Sequence, residues 1–206
     1  MILDPEVLRK ATDTVMQWTI VLGDSTDPVF PAKAFSENLK NKYALKNTEK
    51  DRFLKWSDRS FGINLDFTSD QVTRWIFSRC GDNPEPIKYG ETIAIGLGTE
   101  PTWMNFHERT FGINLEFQNK PSCEWMILGG QSGTPVRSGD RVALYNTKSR
   151  LSPSESGEFL ILFDRPAGHA DIGWPTSQTL ADNIGDLVKG NFEVIITTVA
   201  EVLKAL

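Results

Sequence analysis

DRSFGINLDF at residues 58–67 and ERTFGINLEF at 108–117 repeat nearly the same ten residues fifty positions apart. The shared FGINL, at 61–65 and 111–115, is flanked by like-for-like changes: Asp58/Glu108, Arg59/Arg109, Ser60/Thr110, Asp66/Glu116 and Phe67/Phe117. Within each copy the apolar residues alternate with polar or small ones. Phe61, Ile63, Leu65 and Phe67 are separated by Gly62, Asn64 and Asp66, and Phe111, Ile113, Leu115 and Phe117 repeat the pattern. A period of two is that of a half-buried strand, so each copy is expected to form one with its apolar side chains in a core.

Upstream lie FLKWSDR (53–59) and WMNFHER (103–109), in which an aromatic residue stands five places before an acid–Arg pair. FLILFDR (159–165) matches that frame. Its continuation, PAGHADIGWP, has diverged; Ile172 and Trp174 take the places of Ile63 and Leu65 if three residues are inserted after Arg165. A second marker recurs in the same order, a Trp with an apolar residue two positions on: Trp18/Ile20, Trp75/Phe77 and Trp125/Ile127. Each is followed by a turn-rich stretch and a Pro-apolar step, at Pro28-Val29, Pro86-Ile87 and Pro135-Val136. The later two continue through Gly-Glu or Gly-Asp into alternating strands, Ile93/Ile95/Leu97 and Val142/Leu144. The first unit is the weakest here, with YALKN at 43–47 as the counterpart of VALYN at 142–146.

The chain thus divides into units 17–72, 74–122 and 124–177, each with roughly four short strands and turn signals every 8–12 residues, the texture of an all-β body. A propeller of three blades falls below the usual range of roughly four to eight. The pattern W-x-I … G-x-P-V-x-x-G-D-x-V-A-L-x-N … F-L, clearest from Trp125 to Leu160, resembles the repeat of β-trefoil proteins, including the MIR-type, fascin-like and lectin trefoils. The resemblance covers about 160 residues and rests on strand and turn positions. It implies a β-trefoil of three internal repeats and about twelve strands. The Gln-x-Trp signature of ricin-type sugar-binding trefoils is absent, because Gln17, Arg74 and Glu124 directly precede the three Trp residues. Trp18, Trp75 and Trp125 are expected in core layers rather than as binding platforms.

A short helix is expected in residues 1–16, with Asp4 as N-cap, Pro5 at the first helical position and Glu6 near the positive end. Val7, Leu8, Ala11 and Val15 form its apolar stripe, to be packed on the barrel. Residues 178–206 read as a C-terminal extension. Phe192, Ile195, Val199, Val202 and Leu206 mark the seam of an amphipathic helix, although the β-branched Thr197 and Thr198 weaken it. That helix either folds back on its own trefoil or meets a partner through residues 180–206, as a homo-oligomer or by membrane contact.

At 206 residues, 39% hydrophobic and 24% charged, the composition is that of a globular chain. No apolar run reaches the length of a membrane-spanning helix, and the N-terminus lacks signal-peptide character, so synthesis in the cytosol is expected, with release by a non-classical route left open. A net charge of −5 without a Lys/Arg cluster disfavours nucleic acid. Cys80 and Cys123 are too few for a disulfide framework and stand outside metal-ligand spacing. Both are expected as small buried hydrophobes. GLGTEP (96–101) reads as a turn.

Only two histidines are present, His107 and His169, and no nucleophile elbow, phosphate loop, dinucleotide fingerprint or His-x-x-x-His occurs. A non-enzymatic protein without cofactor or metal is expected. What recurs is polar: Asp58-Arg59, Glu108-Arg109 and Asp164-Arg165, with Asn64 and Asn114 on the following strand and His169 and Asp171 in the divergent third copy. An acid beside a five-donor guanidinium suits sugar hydroxyls or carboxylates, and Trp56, Phe106 and Phe163 offer neighbouring apolar faces. The same pairs also suit ties between repeats. Lectin-like binding of glycans or glycoconjugates is the leading expectation. A defence or toxin protein using its C-terminal segment, and a protein-binding trefoil such as a protease inhibitor or cytoskeletal adaptor, are the alternatives.

Overall fold

The computed structural model describes residues 8, 11, 17–32, 42–57, 65–97, 102–107, 115–148, 158–164 and 170–173. They form an all-β, antiparallel body. Strands β1 (Gln17–Val21), β2 (Ala44–Asn47), β3 (Arg52–Trp56) and β4 (Leu65–Thr68) fall in the first unit. The second holds β5 (Trp75–Ser78), β6 (Thr92–Leu97), β7 (Thr102–Phe106) and β8 (Leu115–Gln118). The third holds β9 (Trp125–Leu128), β10 (Arg141–Asn146), β11 (Glu158–Phe159), β12 (Ile161–Asp164) and β13 (Ala170–Gly173). Nine strands follow one another in the order β4-β3-β2-β1-β10-β9-β6-β7-β8, with β5 bonded to β6 and β11 to β10, while β12 and β13 form a separate hairpin.

The sheet curls because pairing between units repeats. Trp18 stands opposite Val142 and Trp125 opposite Ile93, and an isolated bridge sets Tyr43 opposite Trp75. Within units, Trp18, Trp75 and Trp125 lie opposite Asn47, Leu97 and Asn146. YALKN and VALYN therefore occupy corresponding places, as their sequences suggest. At the centre, three backbone bonds make a cycle: the Val29 N–H donates to Val136 O (2.7 Å), the Val136 N–H to Ile87 O (2.8 Å) and the Ile87 N–H to Val29 O (2.8 Å). Each of these residues follows the proline of a Pro-apolar step. Three residues further on, the N–H groups of Ala32, Gly90 and Gly139 donate to the carbonyls of Phe77, Ile127 and Ile20, each in another unit.

Trp18, Trp75 and Trp125 are fully buried, together with Ile20, Phe77, Ile127, Leu54, Met104 and Leu160 in the main core. A buried indole N–H needs an acceptor. Trp75 Nε1 donates to Leu54 O (3.0 Å), Trp125 Nε1 to Met104 O (2.7 Å) and Trp18 Nε1 to Leu160 O (2.9 Å). Each Trp thus bonds another unit, Trp75 to β3, Trp125 to β7 and Trp18 to Leu160 between β11 and β12.

Turns explain the glycine markers. In Lys88–Glu91 and Arg137–Asp140 the fourth N–H donates to the first carbonyl, and Gly90 and Gly139 take φ of 81° and 93° at the third position. A tight turn of this kind needs positive φ there, which only glycine adopts without strain.

Several expectations are corrected. Leu162 pairs with Ile172 as Trp56 pairs with Leu65 and Phe106 with Leu115, so Ile172 stands in the place of Leu65 rather than Ile63. Asp58 to Leu65 is seven positions and Asp164 to Ile172 eight, so one residue is inserted, not three. Gly96 and Leu97 of GLGTEP belong to β6, opposite Trp103 and Thr102, rather than to a turn. Cys80 and Cys123, 43 residues apart, are joined in a disulfide with a Cα–Cα distance of 6.0 Å, because the closure of the second unit on the third brings the exit of β5 beside the entry of β9. Within FGINL, only Leu65 and Leu115 lie in described residues; both are buried, and β4 and β8 begin there.

The helix expected in residues 1–16 lies outside the described residues except for Leu8 and Ala11. Leu8 is helical but 51% exposed, so it does not share the buried stripe. Ala11 is buried in a cluster with Met126, Leu128, Ala143, Tyr145, Phe159 and Ile161 of β9–β12. The helix expected over 178–206 lies wholly outside the described residues. Among the described residues, no helix is long and apolar enough to cross a membrane.

Candidate functional site

The acid–Arg segments fall where β3 passes to β4, β7 to β8 and β12 to β13. Asp58, Arg59 and Asn64 fall between β3 and β4, Glu108, Arg109 and Asn114 between β7 and β8, and Arg165 and His169 between β12 and β13; all of them lie outside the described residues. Asp164 and Asp171 lie in β12 and β13, where the register sets Asp164 opposite Ala170 and Phe163 opposite Asp171. The backbone thus brings these two aspartates to one hairpin, one step apart.

The strands leading into these connections differ chemically. In the first hairpin, Lys55 Nζ stands 3.8 Å from Asp66 Oδ2 on the opposite strand. At the matching places in the second, Asn105 faces Glu116. There a ladder runs toward the tip: Asn105 Nδ2 donates to Gln118 Oε1 (3.0 Å), Gln118 Nε2 donates to Glu116 Oε1, and Glu116 Oε2 lies 3.4 Å from Nδ1 of the exposed His107. Asn105 is only 3% exposed, and its buried Oδ1 has no hydrogen-bond donor among the described residues. The third hairpin sets Ile161 opposite Gly173, with no polar pair at this level. The three tips therefore rise from a cationic–anionic, an amide–carboxylate–imidazole and an apolar base.

A residue that sequence reasoning passed over holds the end of β7. Glu124 is 1% exposed. Its Oε1 accepts from Asn146 Nδ2 (3.1 Å) and from the Phe106 N–H, and its Oε2 faces Lys148 Nζ at 3.1 Å. A carboxylate taken out of water is costly unless bonded this fully. The arrangement pins the last residue of β7 directly before His107-Glu108-Arg109. The available signal was position: Glu124 precedes Trp125 where Gln17 and Arg74 precede the other two.

Two further polar groups fasten the turns. Burial, a hydrogen bond from its hydroxyl to Asp140 Oδ2 (2.8 Å) and the charge of that carboxylate hold the Tyr89 phenol well above its ordinary pKa. Burial likewise raises Tyr43, with a smaller push from Asp27, although its hydroxyl oxygen accepts the Phe30 N–H (2.9 Å). Both are neutral anchors at physiological pH. Among the described residues, no three His, Cys, Asp or Glu side chains are grouped to hold a metal ion.

Comparison with protein families, with curated proteins and with solved structures finds no match to this chain.

Proposed function

We propose that the chain is a β-trefoil recognition module that binds glycans, without catalysis, through the hairpin ends of its three units. The observation that carries the reading is placement: the three acid–Arg segments connect corresponding strands, β3–β4, β7–β8 and β12–β13. A carboxylate there accepts from sugar hydroxyls and a guanidinium donates in a planar fork. Trp56 and Phe106, half-buried at the ends of β3 and β7, supply apolar surface beside the first two tips. The trefoil assignment is supported by the cycle through Val29, Ile87 and Val136 and by the three indole bonds.

The unlike bases of the hairpins favour three sites of different affinity over three equal ones. A glycan array tests the proposal. Retention of defined glycans, lost when Arg59, Arg109 and Arg165 are replaced together by Ala, is the expected result. No retention on any glycan, with the chain folded, overturns it and moves protein partners forward. Light scattering with and without residues 180–206 separates self-association from avidity.

A further inference from the structure

The Cys80–Cys123 disulfide joins two polar anchors. Cys80 is solvent-exposed at the exit of β5 and directly follows Arg79, whose five N–H donors are all used: two on the Glu91 carboxylate (2.6 and 2.8 Å) and the rest on the carbonyls of Asn83, Glu85 and Pro86. Cys123 packs half-buried against Ala32, Ile76, Ala94 and Trp103 and directly precedes Glu124. On one side the bond therefore meets the Arg79-organised segment, and on the other the carboxylate that holds Phe106 beside the second acid–Arg tip. Neither cysteine belongs to the main core.

We propose that this disulfide is a thiol-sensitive clamp on the end of β7 at Phe106, closed when oxidised and released by a dithiol reductant. A reductant thiolate attacks the Sγ of Cys80, the more exposed of the two residues, the Cys80–Cys123 bond breaks, and Cys123 leaves as a thiolate that takes up a proton. The second reductant thiol then displaces Cys80, which also takes up a proton. Two electrons and two protons pass to the protein, and the reductant ends as its own disulfide. Cys123 is freed next to Glu124, so the carboxylate loses its fixed backbone and its hold on the Phe106 N–H slackens. Because the main core contains neither sulfur, the opening is local. Such a bond persists in oxidising surroundings and opens where thiols are kept reduced, so the hold on Phe106 would differ between compartments. The inference does not depend on the ligand being a glycan.

Amide hydrogen exchange on the full chain, oxidised and then treated with dithiothreitol, tests it, with thiol titration alongside. On reduction two thiols should appear, and exchange at Phe106 and at Cys123–Trp125 should speed up by about tenfold or more, while Trp18 and Val136 keep their protection. The Cys80→Ser, Cys123→Ser double variant should exchange like the reduced protein and ignore dithiothreitol. Unchanged exchange at Phe106 after two thiols appear overturns the proposal. So does loss of protection throughout the chain, which would make the bond a global staple, or two titratable thiols in the protein before reduction. If the double variant does not fold, the reduced natural chain carries the test.

Discussion

The indole N–H of Trp18 donates to the carbonyl of Leu160 at 2.9 Å, across 142 residues of sequence. The same bond spans 21 residues in Trp75–Leu54 and in Trp125–Met104. In those two cases the Trp reaches back to the preceding unit. Trp18 lies in the first of the three units and reaches the third, so its bond joins units far apart in sequence.

Replacing Trp18 by Phe leaves the Leu160 carbonyl without that donor in a fully buried place. A loss of about 1–3 kcal/mol is expected in denaturant unfolding. Trp75→Phe and Trp125→Phe should cost comparable amounts, since each breaks one bond of the same kind. A Trp18→Phe protein as stable as the natural one would mean that the carbonyl finds another partner.

Ile87 gives both its N–H and its carbonyl to the central cycle, and its side chain is fully buried. Ile87→Ala retains the backbone bonds and removes volume, so the expected loss is about 2–5 kcal/mol, set by how far the neighbours collapse into the space. Calorimetry would register it as a lower Tm.

Glu124→Leu and Glu124→Gln separate charge from hydrogen bonding. Leu removes the carboxylate acceptor of the Phe106 N–H and of Asn146 Nδ2, with an expected cost of about 1–3 kcal/mol for each bond lost. Gln keeps an acceptor for them and gives up only the contact with the exposed Lys148, so a cost of about 1 kcal/mol is expected. Equal losses in the two variants, measured by urea unfolding, would contradict the clamp described for β7.

Tyr89 makes stability fall in alkali. Its folded pKa is raised above the ordinary phenol value of about 10. The folded chain therefore keeps a proton that the unfolded chain loses, and the contribution is complete below about pH 10 and disappears as pH rises toward the folded value. Tyr43 is raised in the same direction and adds to the effect. Unfolding free energy should drop above pH 10 by about 1 kcal/mol per pH unit for each such group. In Tyr89→Phe the slope should be shallower, with Asp140 still accepting the Arg137 N–H at 2.8 Å. Identical slopes would remove Tyr89 as the cause.

Much of the body was legible because repetition converts weak local signals into strong ones. One Trp-x-apolar step says little, but three in order beside three Pro-apolar steps locate the turns and strands of every unit. The two clear copies of the acid–Arg frame also bring out the third, in FLILFDR. The third copy failed in detail: the alternation of Ile172 and Trp174 does not say which partner they face, and only the pairing of Leu162 with Ile172 does. For the candidate site, the recurring acid–Arg pairs were visible as pattern. Their supports were not, because Glu124 touches Phe106 and Asn146, which lie 18 and 22 residues away in sequence.

By itself the sequence determined an all-β chain of threefold texture, since a period of two, regularly spaced turn residues and repeated markers are local properties that any segment carries with it. Tertiary structure alone decided that Val29, Ile87 and Val136 hydrogen-bond in a cycle, that Trp18 meets Leu160, and that Cys80 and Cys123 form a bond rather than two buried thiols. These relationships join residues of different units. Their partners depend on how the sheet curls back on itself, which no local pattern encodes.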